Sequence, residues 1–311
     1  MKFAVIGNPV GHSISPALHS AVYEQLGIDA KYDKIHVPEE DLGAFVDSLK
    51  RGQTEDGGEV PCGINVTIPH KIAILPFLDE ISGDACFAGA VNTVVRESRR
   101  SGCSLSGFNT DMGGLLRALQ GLGSGYKGNT VCIFGAGGAA FGAAVKASSE
   151  SAKTIRLIAR NKEKADKACL RAEEAAIGNV RIESVELTDG SIPQEAVADA
   201  DVFINATPLG MLGSRENYTD FSFLDAMPKT TIVYDCVYIP ADTPLVSEAR
   251  MRGLQTENGL SMLVWQGLLS DVYFLRAAGE TLCKPDEILN QEMFSYVYKI
   301  LETSLTNSGV K

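Results

Sequence analysis

Short apolar segments alternate along the chain with longer segments whose apolar residues recur at helical spacing. Ser15 followed by Pro16 is typical of a helix start, with Ser15 as the cap, and Gly27 is typical of a helix end. For the rest of the first third, the pattern predicts strands over 3–6, 32–37, 64–68 and 90–96 and a helix over 39–49.

The alternation restarts after a glycine-rich segment at 121–125, which we interpret as an interdomain linker. Strands separated by helices favour a parallel sheet with helices on its faces. The segments 259–278 and 285–305 are predicted to be helices that pack back across the first domain. The other predicted elements are strands over 130–134, 155–159, 202–205 and 231–234, a helix from Gly138 and a helix over 162–176.

The length of 311 residues suggests two domains, because a domain has about 150 residues. With 45% hydrophobic and 22% charged residues, the composition excludes disordered, collagen-like and coiled-coil proteins. We predict an α/β protein with an open α/β domain over 1–112, completed by helices 266–311. A Rossmann-type doubly wound domain is predicted over 113–265.

The net charge of -11 opposes binding to nucleic acid or to an anionic membrane, so we expect neither partner. No apolar segment is long enough to span a bilayer, and we expect a cytoplasmic protein. The seven cysteines form no C-x-x-C motif, which predicts reduced core thiols. The four histidines lack a zinc-ligand spacing, so no metal is expected.

A glycine-rich loop, Gly-Ala-Gly-Gly-Ala-Ala over 135–140, follows the predicted strand 130–134 directly. Gly135 would permit a tight turn, Gly137 would let the backbone approach a pyrophosphate, and Ala140 would let the helix pack on the strand. Free N–H groups at the helix start would bind the phosphates. This context predicts a dinucleotide site.

The end of the next predicted strand bears on which dinucleotide binds. An acidic residue there would bind the ribose 2′-hydroxyl of NAD, whereas an arginine would bind the 2′-phosphate of NADP. The strand ends Ala159-Arg160-Asn161, and no acid precedes Glu163. The guanidinium of Arg160 can bind a phosphate through two hydrogen bonds, which favours NADP as the cofactor. The simpler alternative is that Arg160 is a solvated residue at the end of a strand.

Neutral polar and charged side chains are concentrated at the predicted strand ends of the first domain. Ligands of open α/β sheets bind at such ends, and these groups suit a small polyhydroxylated molecule. The simpler interpretation is that they cap helices and form turns. The residues are Ser13, Ser15, Asn65, Thr67, Lys71, Asn92, Thr93, Asn109 and Asp111.

Eight blocks of sequence, in order along the chain, resemble the shikimate dehydrogenase family. They include Asn-Val-Thr-Ile-Pro-His-Lys at 65–71, Gly-Ala-Val-Asn-Thr at 89–93 and Asn-Ala-Thr-Pro-Leu-Gly-Met at 205–211. The others lie at 6–16, 109–111, 135–139, 234–238 and 259–266. The resemblance implies NADP-linked, reversible reduction of 3-dehydroshikimate to shikimate, a step of aromatic amino acid (chorismate) biosynthesis, by a monomer or homodimer.

The same resemblance implies roles by position. Lys71 and Asp111 would be catalytic and flank the reacting carbon, and Ser13 and Ser15 would bind the substrate carboxylate. The remaining substrate ligands would be Asn65, Thr67, Asn92, Tyr238 and Gln266. The cofactor would contact Gly135, Ala136, Gly137, Gly138, Ala139, Arg160, Asn205, Thr207, Met211, Val237 and Gly259.

Hydride addition to a ketone leaves alkoxide charge, which needs a donor that can give up a proton. We assign this role to the Lys71 ammonium, with Asp111 orienting it. Burial would lower the pKa of Lys71 while the Asp111 charge would raise it, and the sequence leaves that balance open. A surface ion pair is the structural alternative.

The chain departs from the family where NADP-dependent members show Asn-Arg-Thr, because residues 159–161 are Ala-Arg-Asn. Two polar contacts change while Arg160 stays, so use of both cofactors is an alternative. A quinate/shikimate dehydrogenase using NAD or both cofactors is the nearest rival hypothesis. A non-catalytic ligand sensor on the same fold ranks lower, since Lys71 and Asp111 are both present.

Overall fold

The structure is a computed structural model that describes residues 1–99, 102–214, 216–279 and 284–307. The chain divides into two compact units. The first contains Met1–Thr110 and Val264–Ser304, so its last helices come from the C-terminal part of the chain. The second contains Asp111–Leu263 and the chain from Leu305.

The strands are, in chain order, β1 (Lys2–Gly7), β2 (Lys31–His36), β3 (Gly63–Val66), β4 (Glu80–Ile81), β5 (Thr93–Arg99), β6 (Gly102–Phe108), β7 (Thr130–Phe134), β8 (Thr154–Ala159), β9 (Arg181–Glu186), β10 (Val202–Asn205), β11 (Ile232–Asp235) and β12 (Gln255–Asn258). The helices are α1 (Ser15–Leu26), α2 (Leu42–Arg51), α3 (His70–Ala73), α4 (Gly83–Ala88), α5 (Thr110–Gly121), α6 (Gly138–Ser149), α7 (Lys162–Glu174), α8 (Pro244–Met251), α9 (Leu260–Ala277), α10 (Pro285–Ile288) and α11 (Gln291–Asn307).

The sheet of the first unit has the order β2-β1-β3-β5-β6-β4 and is mixed. β1 pairs in parallel with β2 and β3, whereas β5 is antiparallel to both β3 and β6. Ile6, Ile64 and Val94 are buried on this sheet against Val46 and Leu49 of α2. The carboxyl ends of β1 and β3 lie side by side, which brings the loops after Gly7 and Val66 together.

The sheet of the second unit is wholly parallel, in the order β12-β11-β10-β7-β8-β9. In this arrangement β7 and β10 are neighbours, and the chain winds outward from them in both directions. That is the doubly wound Rossmann order, whose ligand crevice lies outside the carboxyl ends of the central strands. The predicted α/β class, with a Rossmann-type domain in the second part of the chain, is confirmed.

Some local predictions were wrong. Ser15 is not the cap of α1 but its first residue; Ile14 precedes the helix, and no side chain caps it. The Ser13 Oγ accepts the Ser15 N–H at 3.2 Å. The segment predicted as one helix over 39–49 begins as a 3₁₀ turn, Glu39–Asp41, before α2. The second buried strand ends at Val66, because the chain turns at Thr67 into α3.

The glycine-rich segment at 121–125 lies inside the second unit, and the chain passes from the first unit to the second between Thr110 and Asp111. The cysteines are reduced in the described chain, but Cys86 is exposed and only Cys132 and Cys169 are buried. Cys283 lies outside the described residues. None of the helices described here combines the length and apolarity that crossing a bilayer requires.

Candidate functional site

A buried network of polar side chains lies at the carboxyl end of β3 and the start of β5 in the first unit. Asn65 is the penultimate residue of β3, and its Nδ2 lies 3.0–3.2 Å from three oxygens: Asn92 O, Thr93 Oγ1 and Ser270 Oγ. The Asn65 Oδ1 accepts a hydrogen bond from the Tyr32 hydroxyl at 2.6 Å. Buried amides must be hydrogen-bonded, and this one is held on both sides.

Asn92 connects this network to two other elements. Its Oδ1 accepts the Thr110 N–H at 2.8 Å, which fixes the first residue of α5. Its Nδ2 donates to the Thr110 Oγ1 at 2.8 Å and to the Gln266 Oε1 at 3.3 Å. The structure therefore brings three of the expected substrate ligands, Asn65, Asn92 and Gln266, into one cluster.

Ser13 and Ser15 lie in the loop after β1 and at the start of α1. The Ser13 Oγ donates to the Ser15 Oγ at 3.0 Å, and both side chains are partly exposed. Thr67 begins the turn after β3, where its N–H donates to the Ile6 carbonyl at 3.0 Å and its carbonyl accepts the His70 N–H at 2.9 Å. All three lie at the carboxyl ends of neighbouring parallel strands.

Lys71 is the second residue of α3, and its side chain is half-buried. Its carbonyl accepts the Val91 N–H at 2.8 Å, which ties α3 to the segment that carries Asn92. The neighbouring His70 is fully buried and its Nε2 donates to the Val37 carbonyl at 2.7 Å. Asp111, in the first turn of α5, belongs to the second unit, so the pairing of Lys71 with Asp111 stays a prediction.

A cleft of about 670 Å³ opens at the carboxyl ends of β7, β8 and β10 in the second unit. Its walls include Gly135, Ala136 and Gly137 of the glycine-rich loop, and Arg160 after β8. Ala206, Thr207 and Leu209 after β10 form a further wall. The cleft lies at the position where doubly wound sheets bind dinucleotides.

The glycine-rich loop has the geometry that its sequence predicts. Gly135 has φ +130°, and a side chain there would lie 3.1 Å from the Ala206 carbonyl oxygen. A Cβ at Gly137 or Gly138 would meet no atom within 4 Å, so the backbone there is open to a ligand. α6 begins at Gly138, and the first N–H groups of a helix have no partner within it. The loop can therefore hold the phosphates of a dinucleotide.

Arg160 is exposed at the rim of this cleft, where its NH1 forms an ion pair with Glu216 Oε2 at 2.9 Å. Glu216 lines the same cleft from the loop after β10. The next residue, Asn161, caps α7 by accepting the Lys164 N–H at 2.9 Å. The guanidinium is thus placed to meet an anion, with one carboxylate already beside it.

Asn205 is fully buried at the end of β10, and its Nδ2 donates to Asp235 Oδ1 at 2.8 Å. Its Oδ1 accepts from the Thr207 N–H at 3.0 Å and from the Thr207 hydroxyl at 2.7 Å. Asp235 also accepts from the Val237 N–H at 3.0 Å and from the Thr243 hydroxyl at 2.6 Å. This pair holds the loops after β10 and β11 in shape.

The other predicted site residues, which are cofactor residues except for the substrate ligand Tyr238, differ in exposure. Met211 is exposed, Val237 is buried and Tyr238 is half-buried, where burial raises the pKa of its hydroxyl. Gly259 is required by close approach, because a Cβ there would lie 2.1 Å from the Cys236 carbonyl oxygen. Ala139 is exposed on the first turn of α6.

Sequence patterns missed several residues of the first cluster. Tyr32 lies in a strand of mostly polar residues, whereas Ser270 and Asp271 lie in an apolar helix. Only the fold brings Tyr32 and Ser270 to Asn65, and Asp271 to His19. The spacing of Ser270 and Gln266, four residues apart on α9, is the one signal that could have linked them.

Comparison with known proteins gives a consistent result. Residues 5–94 match the family described as the shikimate dehydrogenase substrate binding domain. The chain is 36% identical over 269 residues to the shikimate dehydrogenase (NADP(+)) of Staphylococcus aureus strain Newman, covering 86% of this chain and 90% of that protein.

Two solved structures have the same fold over nearly their whole length. A shikimate 5-dehydrogenase from Listeria monocytogenes, in complex with shikimate and NAD, is 28% identical with a TM-score of 0.80 and 96% coverage of each chain. A 5-ketofructose reductase of Gluconobacter sp. strain CHM43 is 28% identical with a TM-score of 0.80 and 98% coverage of each chain.

The close approach of Gly259 to the Cys236 carbonyl predicts that any side chain at position 259 destabilises the fold. Gly259→Ala forces a methyl group against a backbone carbonyl, and we expect the free energy of unfolding to fall by about 1–3 kcal/mol in urea titrations. Gly121→Ala is the matched control, because a Cβ there meets no atom within 4 Å. Equal stability of the two variants would contradict the prediction.

Burial raises the pKa of Asp235 to about 6 from 3.8, although three hydrogen bonds oppose the rise. The folded chain therefore holds this proton more tightly than the unfolded chain. Its contribution to stability is full below about pH 4 and declines by about 3 kcal/mol as the pH rises through 6. The difference in free energy of unfolding between wild type and Asp235→Asn, measured in urea, should fall over that range.

Asp220→Asn provides the opposite control. Hydrogen bonds from Ser222 lower the pKa of the Asp220 carboxyl, so its contribution to stability grows as the pH rises. Parallel pH profiles for wild type and Asp235→Asn would refute the account of Asp235.

Proposed function

Because the chain belongs to the shikimate dehydrogenase family, we propose that it catalyses the reversible, NADP-linked reduction of 3-dehydroshikimate to shikimate. In this proposal the first unit binds the substrate and the second binds the cofactor. The observation that carries it is the convergence of Asn65, Asn92 and Gln266 in one cluster of the first unit.

The cluster suits a cyclic hydroxy acid. Its members are neutral donors and acceptors, which can bind several hydroxyl groups with fixed orientation. Ser13 and Ser15 add two hydroxyl donors for a carboxylate, and Thr67 and Tyr238 complete the proposed ligands. A site built to hydrogen-bond substrate hydroxyls discriminates strongly against molecules that lack them.

The second unit supplies the cofactor site. The open backbone at Gly137 and Gly138 would hold the pyrophosphate, and Arg160 would bind the 2′-phosphate. Asn205 acts by holding Thr207 at the wall of the cleft, while Met211, Val237 and Gly259 would border the nicotinamide. These local positive features offset the repulsion between anionic ligands and a chain of net charge -11.

When bound, NADPH supplies the hydride that adds to the carbonyl carbon of the substrate. The Lys71 ammonium hydrogen-bonds the carbonyl oxygen, stabilises the developing negative charge and donates a proton to it. In the reverse direction the Lys71 amine accepts the hydroxyl proton. By its resemblance to the family, Asp111 is assigned the role of orienting Lys71.

The direct test is the absorbance change at 340 nm with shikimate or quinate, each against NADP and NAD. We expect the fastest turnover with shikimate and NADP. Lys71→Ala should lower kcat by at least about 100-fold through loss of the proton donor. The control is Lys50→Ala, which removes a lysine of the same unit that pairs with Asp79 at 3.3 Å. A Lys71→Ala variant with near wild-type turnover would exclude the assigned role.

One observation favours the use of both cofactors. The Glu216 carboxylate lies beside Arg160 at the cleft, where it could accept a hydrogen bond from the ribose 2′-hydroxyl of NAD. A quinate/shikimate dehydrogenase that uses NAD is therefore the second candidate, and faster turnover of quinate with NAD would favour it.

A variant of Arg160 can distinguish binding of NADP from binding of NAD. Arg160→Ala removes the cation that would bind the 2′-phosphate, so the KM for NADP should rise at least about tenfold while the KM for NAD hardly changes. The control is Arg181→Ala, an exposed arginine of the same unit that pairs with Glu183. An equal rise in the KM for both cofactors would show that Arg160 does not bind the 2′-phosphate.

A further inference from the structure

Tyr32 holds one of the proposed substrate ligands in the first unit. Its hydroxyl donates to the Asn65 Oδ1 at 2.6 Å, and both side chains are buried. The Asn65 Nδ2 in turn lies 3.1 Å from the Asn92 carbonyl oxygen and 3.0 Å from the Ser270 Oγ. Tyr32 is therefore the first member of a hydrogen-bond chain that runs through Asn65 to the Asn92 main chain.

The direction of this chain follows from its last member. The Asn92 main-chain carbonyl can only accept, so the Asn65 Nδ2, 3.1 Å away, must donate to it. The Asn65 Oδ1 then faces Tyr32 as an acceptor. A phenol has one proton, and Tyr32 gives it to Asn65.

The ring of Tyr32 is held from behind by His19. The two rings stack at a centroid distance of 4.0 Å with an angle of 11° between their planes. The His19 Nδ1 lies 2.8 Å from the Asp271 Oδ1, which also accepts the Tyr23 hydroxyl at 2.8 Å. His19 and Tyr23 are four residues apart on α1, so one face of this helix contacts Asp271 through both side chains.

This cluster is costly in a way that stability alone does not explain. His19 and Asp271 are both fully buried, and neither the His19 Nε2 nor the Asp271 Oδ2 has a hydrogen-bond partner among the described residues. Replacement of a buried, hydrogen-bonded polar pair by well-packed apolar side chains is often neutral or stabilising. Burial, with the Asp271 charge, also raises the pKa of Tyr32 well above its usual value, so its hydroxyl remains a donor.

We propose that Tyr32, held by His19 and Asp271, is a positioning residue that fixes the Asn65 amide for the substrate. Because Tyr32 donates to the Asn65 Oδ1, the Asn65 Nδ2 is the atom that faces the Asn92 and Ser270 oxygens. The inference rests on the proposed function, because Asn65 is a substrate ligand only within it. Asp271 acts one step further away, through the orientation of the His19 ring.

Tyr32→Phe is the principal test, since it removes the hydroxyl and keeps the ring stacked on His19. The KM for shikimate should rise at least about tenfold, while the KM for NADP and kcat stay within about threefold. Asp271→Asn should raise the KM for shikimate by a smaller factor. The matched control is Tyr126→Phe. It removes a buried hydroxyl of the second unit that has no hydrogen-bond partner among the described residues.

A second readout does not depend on activity. The side-chain amide of Asn65, assigned by loss of its NMR signals in Asn65→Asp, reports directly on the bond to Tyr32. We expect Tyr32→Phe and Asp271→Asn to shift these signals, and Tyr126→Phe to leave them in place.

The outcomes are distinct. Shifted amide signals with a selective rise in the shikimate KM support the inference. If the variants shift the amide signals but the wild-type protein does not turn over shikimate, the proposed function is refuted, whereas the hydrogen bond from Tyr32 to Asn65 is supported. Unshifted signals, or a KM for shikimate within twofold of wild type, overturn the inference. A parallel loss of affinity for shikimate and NADP would mark a merely structural role and overturn it as well.

Discussion

The need to satisfy buried polar groups governs the first unit. A ligand site for a hydroxylated molecule must keep amides and hydroxyls away from bulk water, and each such group destabilises the fold unless it finds a partner. Asn65 and Asn92 meet this requirement by bonding to side chains from β2, β5, α5 and α9. The same bonds that stabilise the fold also fix the orientation of these polar groups.

The second unit solves a different problem by different means. The pyrophosphate of its proposed ligand would be bound by backbone N–H groups, and Arg160 is the side chain proposed for the 2′-phosphate. Gly135 and Gly259 permit close approaches that a Cβ would block, and Asn205 with Asp235 holds two loops through buried hydrogen bonds. The first unit thus relies mainly on specific side chains, whereas the second also relies on the absence of side chains at a few positions.

The sequence predicts four of the six strands in the sheet of each unit and misses the other two, for a physical reason. Parallel strands buried on both faces are continuous apolar runs, such as residues 130–134, and are easy to identify. β6, β9 and β12 are partly exposed and carry polar residues, so their hydrophobic pattern is weak. β4 has only two residues, too few for any pattern.

The site shows the same division. Motifs local in sequence, such as 65–71 and 135–140, indicate their residues directly. Tyr32 and Ser270 are separated from Asn65 by long stretches of chain, and only tertiary structure brings them to it. Ser15 illustrates the opposite error, because a serine before a proline is typical of a cap, whereas here the hydroxyl accepts a hydrogen bond from Ser13.

The sheet of the first unit also limits how two copies of the chain could associate. Its outer strands are β2, in which Lys31, Asp33 and Lys34 are exposed, and the two-residue β4. Charged or very short edge strands resist pairing with a foreign strand, which protects against aggregation. A homodimer formed by joining two β2 edges would bury those charges, so self-association would have to use helical surfaces or loops instead.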